Sequence, residues 1–241
     1  MEHSFRFGAL MVLIALTLNA CGGDAAGEAG RRQAEGRPLP KYGQASLPEG
    51  RYYTTEFEPS LSFRISGDDW RFEGPSGTLG DPEHPDYLFI QKVPEGEISE
   101  GEISFFNLRK LKGIYKPKGP TGATEPVPPP DELVGWFQHH PYLETSEPEP
   151  VTVGGYKGVQ FDVVLANLPE NYEGLCGKTA HCLDIFALST GGSSEIYYLK
   201  RNHYIVLENV EGVPVAIDYS NLKDEFDEFV PVAEKVLESV R

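Results

Sequence analysis

Residues 203–219 read HYIVLENVEGVPVAIDY, and they are the clearest indication of the fold in this chain. Two runs rich in β-branched and aromatic residues, His203–Asn209 and Val213–Tyr219, flank the dipeptide Glu211-Gly212. Runs of this composition on either side of a glycine-containing turn are typical of a β-hairpin. The stretch therefore predicts two antiparallel strands joined by a tight turn.

Similar runs occur along most of the chain. Val151–Leu165 predicts a second hairpin, because Gly154-Gly155 supplies a turn and apolar residues alternate with polar ones after it. Successive hairpins give a mostly antiparallel sheet. Further strands are predicted at Arg51–Phe57, Leu61–Ile65, Tyr87–Val93, Ile103–Leu108, Leu183–Leu188 and Glu195–Leu199.

Two segments have the apolar spacing of amphipathic helices. The first begins at Pro130-Asp131-Glu132, since proline and acidic residues suit a helix N-terminus, and it ends before Pro141. The second covers about 221–240, with apolar residues at three- and four-residue steps. Together the elements predict the α+β class: a mostly antiparallel sheet of hairpins packed with a central and a C-terminal amphipathic helix.

The chain begins with the pattern of an export signal. Arg6 precedes the apolar run Gly8–Leu18, which is too short to cross roughly 30 Å of hydrocarbon as a helix. The sequence Leu18-Asn19-Ala20-Cys21 then resembles the lipobox of bacterial lipoproteins. The resemblance implies a signal peptide over 1–20, a lipid on Cys21, and a domain anchored at the outer face of the cell membrane. The alternative is a secretory peptide cut near Ala20 and carrying no lipid.

Composition divides the rest of the chain into two parts. Residues 21–50 contain mainly Gly, Ala, Pro and charged residues, so they cannot bury enough apolar surface to fold and are expected to be a flexible tether. Residues 51–241 are the expected globular domain. With 37 acidic against 21 basic residues, the net charge is −16, which argues against nucleic acid as a partner.

Four stretches of the expected domain form a pattern that recurs in other proteins: Phe63-Arg-Ile-Ser with Trp70, Leu133-Val-Gly-Trp-Phe-Gln-His-His-Pro141, Pro150–Asp162, and Phe226-Asp-Glu-Phe with Ala233-Glu-Lys-Val. They resemble lipoproteins of Gram-positive, actinobacterial-type bacteria with PsbP-like or LpqN-like extracytoplasmic domains. That resemblance implies an α/β/α sandwich over most of residues 51–241, and it carries over no catalytic or binding residue.

Three cysteines are present, and assigning Cys21 to lipid leaves Cys176 and Cys182. A compartment outside the membrane permits disulfides, and the short glycine-containing loop between the two can close, so a disulfide is predicted. A redox pair is the first alternative, although five intervening residues do not match a C-x-x-C motif. A metal site with His181 is the second, although a fourth ligand at suitable spacing is missing.

No motif in the sequence identifies a reaction. The chain contains no G-x-S-x-G, no H-E-x-x-H and no P-loop. We therefore expect a non-enzymatic binding or accessory domain that needs no cofactor or metal and whose partner is an envelope protein or a small ligand. Two alternatives stay open: a cell-envelope hydrolase that uses a pair of carboxylates, and a small solute-binding lipoprotein.

Aromatic residues are the candidates for a ligand groove. Paired tyrosines in a strand place one ring on each face, so one ring of each pair is available for binding. The candidates are Tyr52, Tyr53, Trp136, Tyr142, Tyr197 and Tyr198.

Three other features have both a structural and a functional interpretation. The tandem EGEIS over 95–104 fits a duplicated loop or a Ca²⁺ site. The adjacent pair His139-His140 fits a helix C-terminus better than a metal site, because neighbouring helical residues point about 100° apart. The only cationic patch fits an exposed loop or a contact to wall polymer or lipid phosphate: Lys110, Lys112, Lys116 and Lys118.

Overall fold

The computed structural model describes residues 36–40, 44–73, 85–94, 101–116, 125–170, 172–176, 181–189 and 191–241. In these residues it contains sixteen strands and two helices. The strands are β1 (Arg37–Pro38), β2 (Gln44–Ser46), β3 (Gly50–Tyr53), β4 (Ser62–Ile65), β5 (Trp70–Glu73), β6 (Tyr87–Lys92), β7 (Gly101–Asn107), β8 (Gly113–Tyr115), β9 (Pro126–Val127), β10 (Leu143–Thr145), β11 (Glu149–Val153), β12 (Tyr156–Leu165), β13 (Cys182–Ala187), β14 (Ser193–Tyr197), β15 (Lys200–Val210) and β16 (Val213–Leu222). The helices are α1 (Leu133–Gln138) and α2 (Phe226–Glu238).

A nine-stranded antiparallel sheet forms the centre of the described unit. Its order is β10-β12-β15-β16-β7-β6-β5-β2, and β11 pairs with β12 beside β10. The hairpin predicted from residues 203–219 is confirmed as β15 and β16, with His203 opposite Tyr219 and Ile205 opposite Ile217. The β11–β12 hairpin is confirmed as well, with Val153 opposite Tyr156.

Each face of the central sheet packs against a hydrophobic core of its own. Because side chains alternate along a strand, Ile217 and Tyr219 of β16 enter the first core while Ala216 enters the second. The first core also contains the apolar side of α2 and the three-stranded sheet β1-β3-β4. The second core contains α1 and the four-stranded sheet β14-β13-β8-β9.

The expected balance of helix and strand is wrong. Of the described residues, 49% are in strands and 11% in helices, so the structure is a β-rich sandwich and not an α+β domain or an α/β/α sandwich packed around a central helix. The predicted central helix shrinks to the six residues of α1, with Leu133 and Phe137 as its buried side chains. A helix of fewer than two turns cannot cover a sheet face, and the four-stranded sheet β14-β13-β8-β9 covers it instead.

The covering strands include two that the sequence did not indicate. β8 and β9 lie in the segment Lys110–Pro130, which was expected to be an exposed loop, and β8 pairs with β13. Ordered pairing also begins earlier than residue 51, because β1 pairs with β3 through Arg37 and Tyr52. The segment before the fold is therefore shorter than residues 21–50.

Candidate functional site

The six candidate aromatics lie in three different places. Tyr52 and Tyr53 belong to β3, and the Tyr52 hydroxyl donates to the Pro48 carbonyl at 2.7 Å. Trp136 packs 4.8 Å from the ring of His140, whose own ring is 5.9 Å from that of Tyr142. Tyr197 is the last residue of β14, and Tyr198 is the first residue of the turn that follows. The structure thus does not bring all six together.

A small pocket opens near β3 and β6, and none of those six residues lines it. Its free volume is about 20 Å³, which is room for about one water molecule. A site for a drug-sized ligand needs several hundred Å³. The lining residues are Leu39, Pro40, Thr54, Thr55, Glu56, Phe57, Phe72, Pro85, Tyr87 and Leu88.

The first polar cluster lies where the four-stranded sheet β14-β13-β8-β9 faces the central sheet. Asp184 and Glu195 lie directly opposite each other on β13 and β14. The Ser193 hydroxyl oxygen is 2.7 Å from a carboxylate oxygen of Asp184 and 2.7 Å from one of Glu195. A hydroxyl has one proton to donate, so both contacts are hydrogen bonds when one of the two carboxyls carries a proton. Burial is the largest effect on the pKa of Glu195 and raises it, the hydrogen bond from Ser193 lowers it, and the charge of Asp184 raises it further.

Asp218 is a second buried carboxyl of this cluster, on β16. The side-chain nitrogen of Asn202 donates to both of its oxygens, at 3.0 and 3.1 Å. Burial raises the pKa of Asp218 to about 7, against the lowering effect of that hydrogen bond. Among the residues that the structure describes, the Asn202 carbonyl oxygen is buried without a hydrogen-bond donor.

Lys200 supplies the positive charge next to these carboxyls. Its ammonium group pairs with Glu102, the first polar residue of β7, and Glu102 also accepts from the Ser220 hydroxyl at 2.8 Å. The ammonium nitrogen lies 5.6 Å from the ring centre of Tyr197. This pair fastens the start of β15 to the start of β7.

The buried carboxyls do not form an open catalytic site. Asp184 has no exposed surface, and Asp218 is 7% exposed. A glycosidase-type pair needs access for substrate and water, which Asp184 lacks. Within the described ranges, no group of three or more His, Cys, Asp or Glu side chains is arranged to hold a metal ion.

A second polar cluster lies on the opposite face, where β12 and β15 meet the start of α2. Asp162 accepts from Arg201 at 2.5 Å and is 2.7 Å from Nδ1 of His203, and Arg201 reaches Asp227 at 3.2 Å. The hydrogen bond to His203 is the largest of the effects that lower the pKa of Asp162. The rings of His203 and Tyr219 stack at 4.7 Å. The cluster ties α2 to the sheet.

His140 is buried and does not converge with His139 on a metal. Its Nδ1 accepts the backbone N–H of Tyr142 at 3.2 Å, and its Nε2 has no hydrogen-bond partner in the described part of the chain. His139 lies instead against the Gly135 carbonyl at 2.7 Å. Burial lowers the pKa of His140 to about 4.

In its described residues the structure exposes four large apolar side chains: Leu175 (56%), Tyr198 (56%), Leu199 (66%) and Leu222 (41%). Three of them lie on neighbouring positions, because Tyr198 and Leu199 form the turn between β14 and β15 and Leu222 lies opposite Lys200. We call Tyr198, Leu199 and Leu222 the apolar tip. Leu175 lies next to Cys176, which the disulfide joins to β13.

Short-range bonds hold the apolar tip together. The N–H of Tyr198 donates to the His181 carbonyl at 2.9 Å, and the N–H of Lys223 donates to the Leu199 carbonyl at 2.9 Å. A disulfide joins Cys176 to Cys182, as the sequence predicts, with a Cα–Cα distance of 6.4 Å.

The structure describes only part of the cationic patch and of the EGEIS repeat, and none of the signal peptide. Lys110 is ion-paired with Glu58 at 2.8 Å, while Lys112 and Lys116 are exposed. Lys118 and the first part of the EGEIS repeat, 95–100, lie outside the described residues, as do the signal peptide and Cys21. Over the described ranges, no helix has the length and apolar character needed to cross a membrane.

Sequence reasoning missed both polar clusters. Asp162 lies between the apolar residues Phe161 and Val163, so the alternation marks it as the polar face of its strand. Arg201 and His203 lie in the polar run 200–203, where no alternation distinguishes them, and nothing in the sequence shows that they meet Asp162. The contact between Asp184 and Glu195 depends on the pairing of β13 with β14, which a single sequence does not specify.

Comparison with known proteins finds similarity to solved structures. No protein-family model matches the chain, and no curated protein matches it. Among solved structures, the chain is similar to LpqN from Mycobacterium tuberculosis, described as involved in cell envelope biogenesis. The identity is 12% over 82% of this chain and 88% of that chain, with a TM-score of 0.35. LpqN is the protein type that the sequence resembles, but a likeness at this TM-score carries no argument about fold or function.

Proposed function

We propose that this chain is a membrane-anchored extracytoplasmic lipoprotein whose folded unit is a non-enzymatic binding or accessory domain. The export pattern that ends at Cys21 supports the anchor and the compartment. The disulfide between Cys176 and Cys182 agrees with an oxidising compartment, since such bonds are rare in the cytosol.

The distribution of polar and apolar groups supports a binding role. The carboxyls that come together are closed between two sheets, while three of the four exposed large apolar side chains are neighbours at the apolar tip. Exposed apolar groups that cluster, in contrast to scattered ones, mark interaction surfaces. The clustering of Tyr198, Leu199 and Leu222 is the observation that carries the proposal.

Neither alternative function gains support from the described residues. The carboxylate hydrolase needs an open cleft between two carboxylates, and Asp184 is fully buried. The solute-binding alternative needs a cavity for a ligand, and the pocket near β3 holds about one water.

Cell fractionation tests the anchor and the compartment together. The full chain, expressed in a bacterial host that processes lipoproteins, is expected in the membrane fraction and in the detergent phase after phase partition. External protease should digest it in intact spheroplasts. The matched control is Cys21→Ser, which removes the acyl acceptor and should shift the protein to the aqueous phase. Wild-type protein that stays aqueous, or that resists external protease until the cells are lysed, would contradict the proposal.

A further inference from the structure

The apolar tip has the chemistry of a group that enters a membrane interface. Leu199 and Leu222 present aliphatic side chains, and Tyr198 adds an aromatic ring with a polar end. The Lys223 ammonium lies 4.6 Å from the centre of the Tyr198 ring. A lysine beside an apolar group can keep its charge in the headgroup layer while its stem lies along the apolar surface.

Neighbouring contacts hold the apolar tip in place, so insertion does not require it to reorganise. Lys200, directly after Leu199, is ion-paired with Glu102 of β7. The disulfide closes the neighbouring loop, and Cys182 lies opposite Tyr197 in the ladder. A preordered surface loses less conformational entropy on binding than a mobile one.

The first described residue, Gly36, lies at the opposite end of α2 from the apolar tip. Gly36 lies against the backbone of Arg51, and the Arg51 guanidinium donates to the Ser239 carbonyl at 3.3 Å. Ser239 follows the C-terminal end of α2, whereas Leu222 precedes its N-terminal end. The helix of 13 residues is about 20 Å long, so the tip is about 20 Å from Gly36.

Fourteen residues, 22–35, lie between Cys21 and Gly36, the first residue that the structure describes. A flexible linker of that length has a root-mean-square end-to-end distance of about 20 Å. Tethering is most effective when the length of the linker matches the span it must cover, and the effective concentration is then about millimolar. A surface of weak intrinsic affinity is therefore sufficient at the end of such a tether.

We propose that the apolar tip inserts into the interface of the same membrane that holds the lipid on Cys21, as a second and reversible contact. This inference rests on the proposed anchor. The exposed leucines beside the Tyr198–Lys223 pair have the composition of a membrane-interface group, and this favours lipid over a second copy or a soluble partner. The net charge of −16 opposes anionic headgroups, so the contact depends on apolar insertion into zwitterionic lipid.

Fluorescence quenching in vesicles tests the proposal. The chain from residue 21 onward is coupled through the Cys21 thiol, the one cysteine outside the disulfide, to a maleimide phospholipid in phosphatidylcholine vesicles. Tyr198→Trp reports on the tip, and brominated phosphatidylcholine is the quencher. The matched control is Tyr156→Trp. Tyr156 follows the turn Gly154-Gly155, and that turn lies against Val240, at the other end of α2 from the tip.

After the wild-type signal of Trp70 and Trp136 is subtracted, the expected result is quenching and a blue shift for the tryptophan at position 198 and neither for the one at 156. Adding Leu199→Ser to the Tyr198→Trp variant should lower the ratio of inserted to free tip about tenfold, because a buried leucine contributes at least that much. Equal quenching at both positions, or quenching unchanged by Leu199→Ser, overturns the proposal. Quenching that appears only with brominated anionic lipid and disappears at high salt overturns it too, because it shows an electrostatic contact.

The coupling chemistry separates this test from that of the anchor. The maleimide lipid supplies the tether whether or not cells acylate Cys21. Absence of quenching therefore refutes insertion of the tip and leaves the anchor standing. A native chain found without acyl groups refutes the anchor, while quenching in the coupled vesicles still decides whether the tip enters a bilayer.

Discussion

Replacement of Asp218 by asparagine should make the protein more stable at alkaline pH and change little at acid pH. The carboxyl is buried, and burial raises its pKa to about 7, from 3.8 for an exposed aspartate. Asparagine has nearly the same shape and cannot ionise. Its side-chain oxygen can accept from the Asn202 side-chain nitrogen, as an Asp218 oxygen does at 3.0 Å. The variant therefore keeps the packing and removes the ionisation.

The magnitude follows from the two pKa values. Since the folded-state pKa is above the unfolded one, the folded state binds more protons between pH 3.8 and 7, and stability falls as the pH rises through 7. Between pH 5 and pH 8 this single group removes about 2–3 kcal/mol of unfolding free energy from the wild type. Asp218→Asn removes that loss and leaves every other titrating group in place.

Urea unfolding at pH 5 and pH 8 measures the effect. The stability of Asp218→Asn relative to the wild type should increase by about 2–3 kcal/mol from the lower to the higher pH. Equal m-values in the two proteins show that the same folded unit is compared. A difference in stability that is the same at both pH values would refute a buried, protonated carboxyl at this position.

Three further predictions concern other buried groups. His140 has a folded-state pKa of about 4, below its unfolded 6.5, so stability should fall as the pH drops from 6.5 towards 4; His140→Phe should remove about 2–3 kcal/mol of that fall in urea titrations at pH 7 and 4.5. Ser193→Ala leaves two facing carboxyls without their bridge and should cost about 1–3 kcal/mol in unfolding free energy, whereas equal stability would show that the bridge does not matter. Replacing Cys176 and Cys182 together by serine should cost about 2 kcal/mol, read as a lower melting temperature that the reducing agent dithiothreitol no longer changes.

Local patterns in the sequence predicted the elements that depend on neighbouring residues. The β15–β16 hairpin and the short disulfide loop follow from turn residues and cysteine spacing, and both are present. The C-terminal helix is also found, but it begins at Phe226 and not near residue 221, because β16 continues through Leu222. Pairing with β15 and β7 thus extends the strand into the expected helix start.

The prediction of the fold class was wrong where the structure depends on pairing between strands that are distant in sequence. β8 and β9 have three and two residues, and they are strands because β13 offers an edge to β8 and β8 offers one to β9. Nothing in a proline- and glycine-rich segment signals those partners. The same limit applies to the candidate site. Tyr198 is a candidate because it is aromatic, but its proximity to Leu222 depends on the pairing of β15 with β16.

The intact mass of the mature protein, extracted from membranes of a lipoprotein-processing host, tests the central claim most directly. The account predicts a chain that starts at Cys21, carries added acyl groups and is two hydrogens lighter than the reduced form because of the disulfide. A mass that corresponds to an unacylated chain, or to one that keeps residues 1–20, would contradict it.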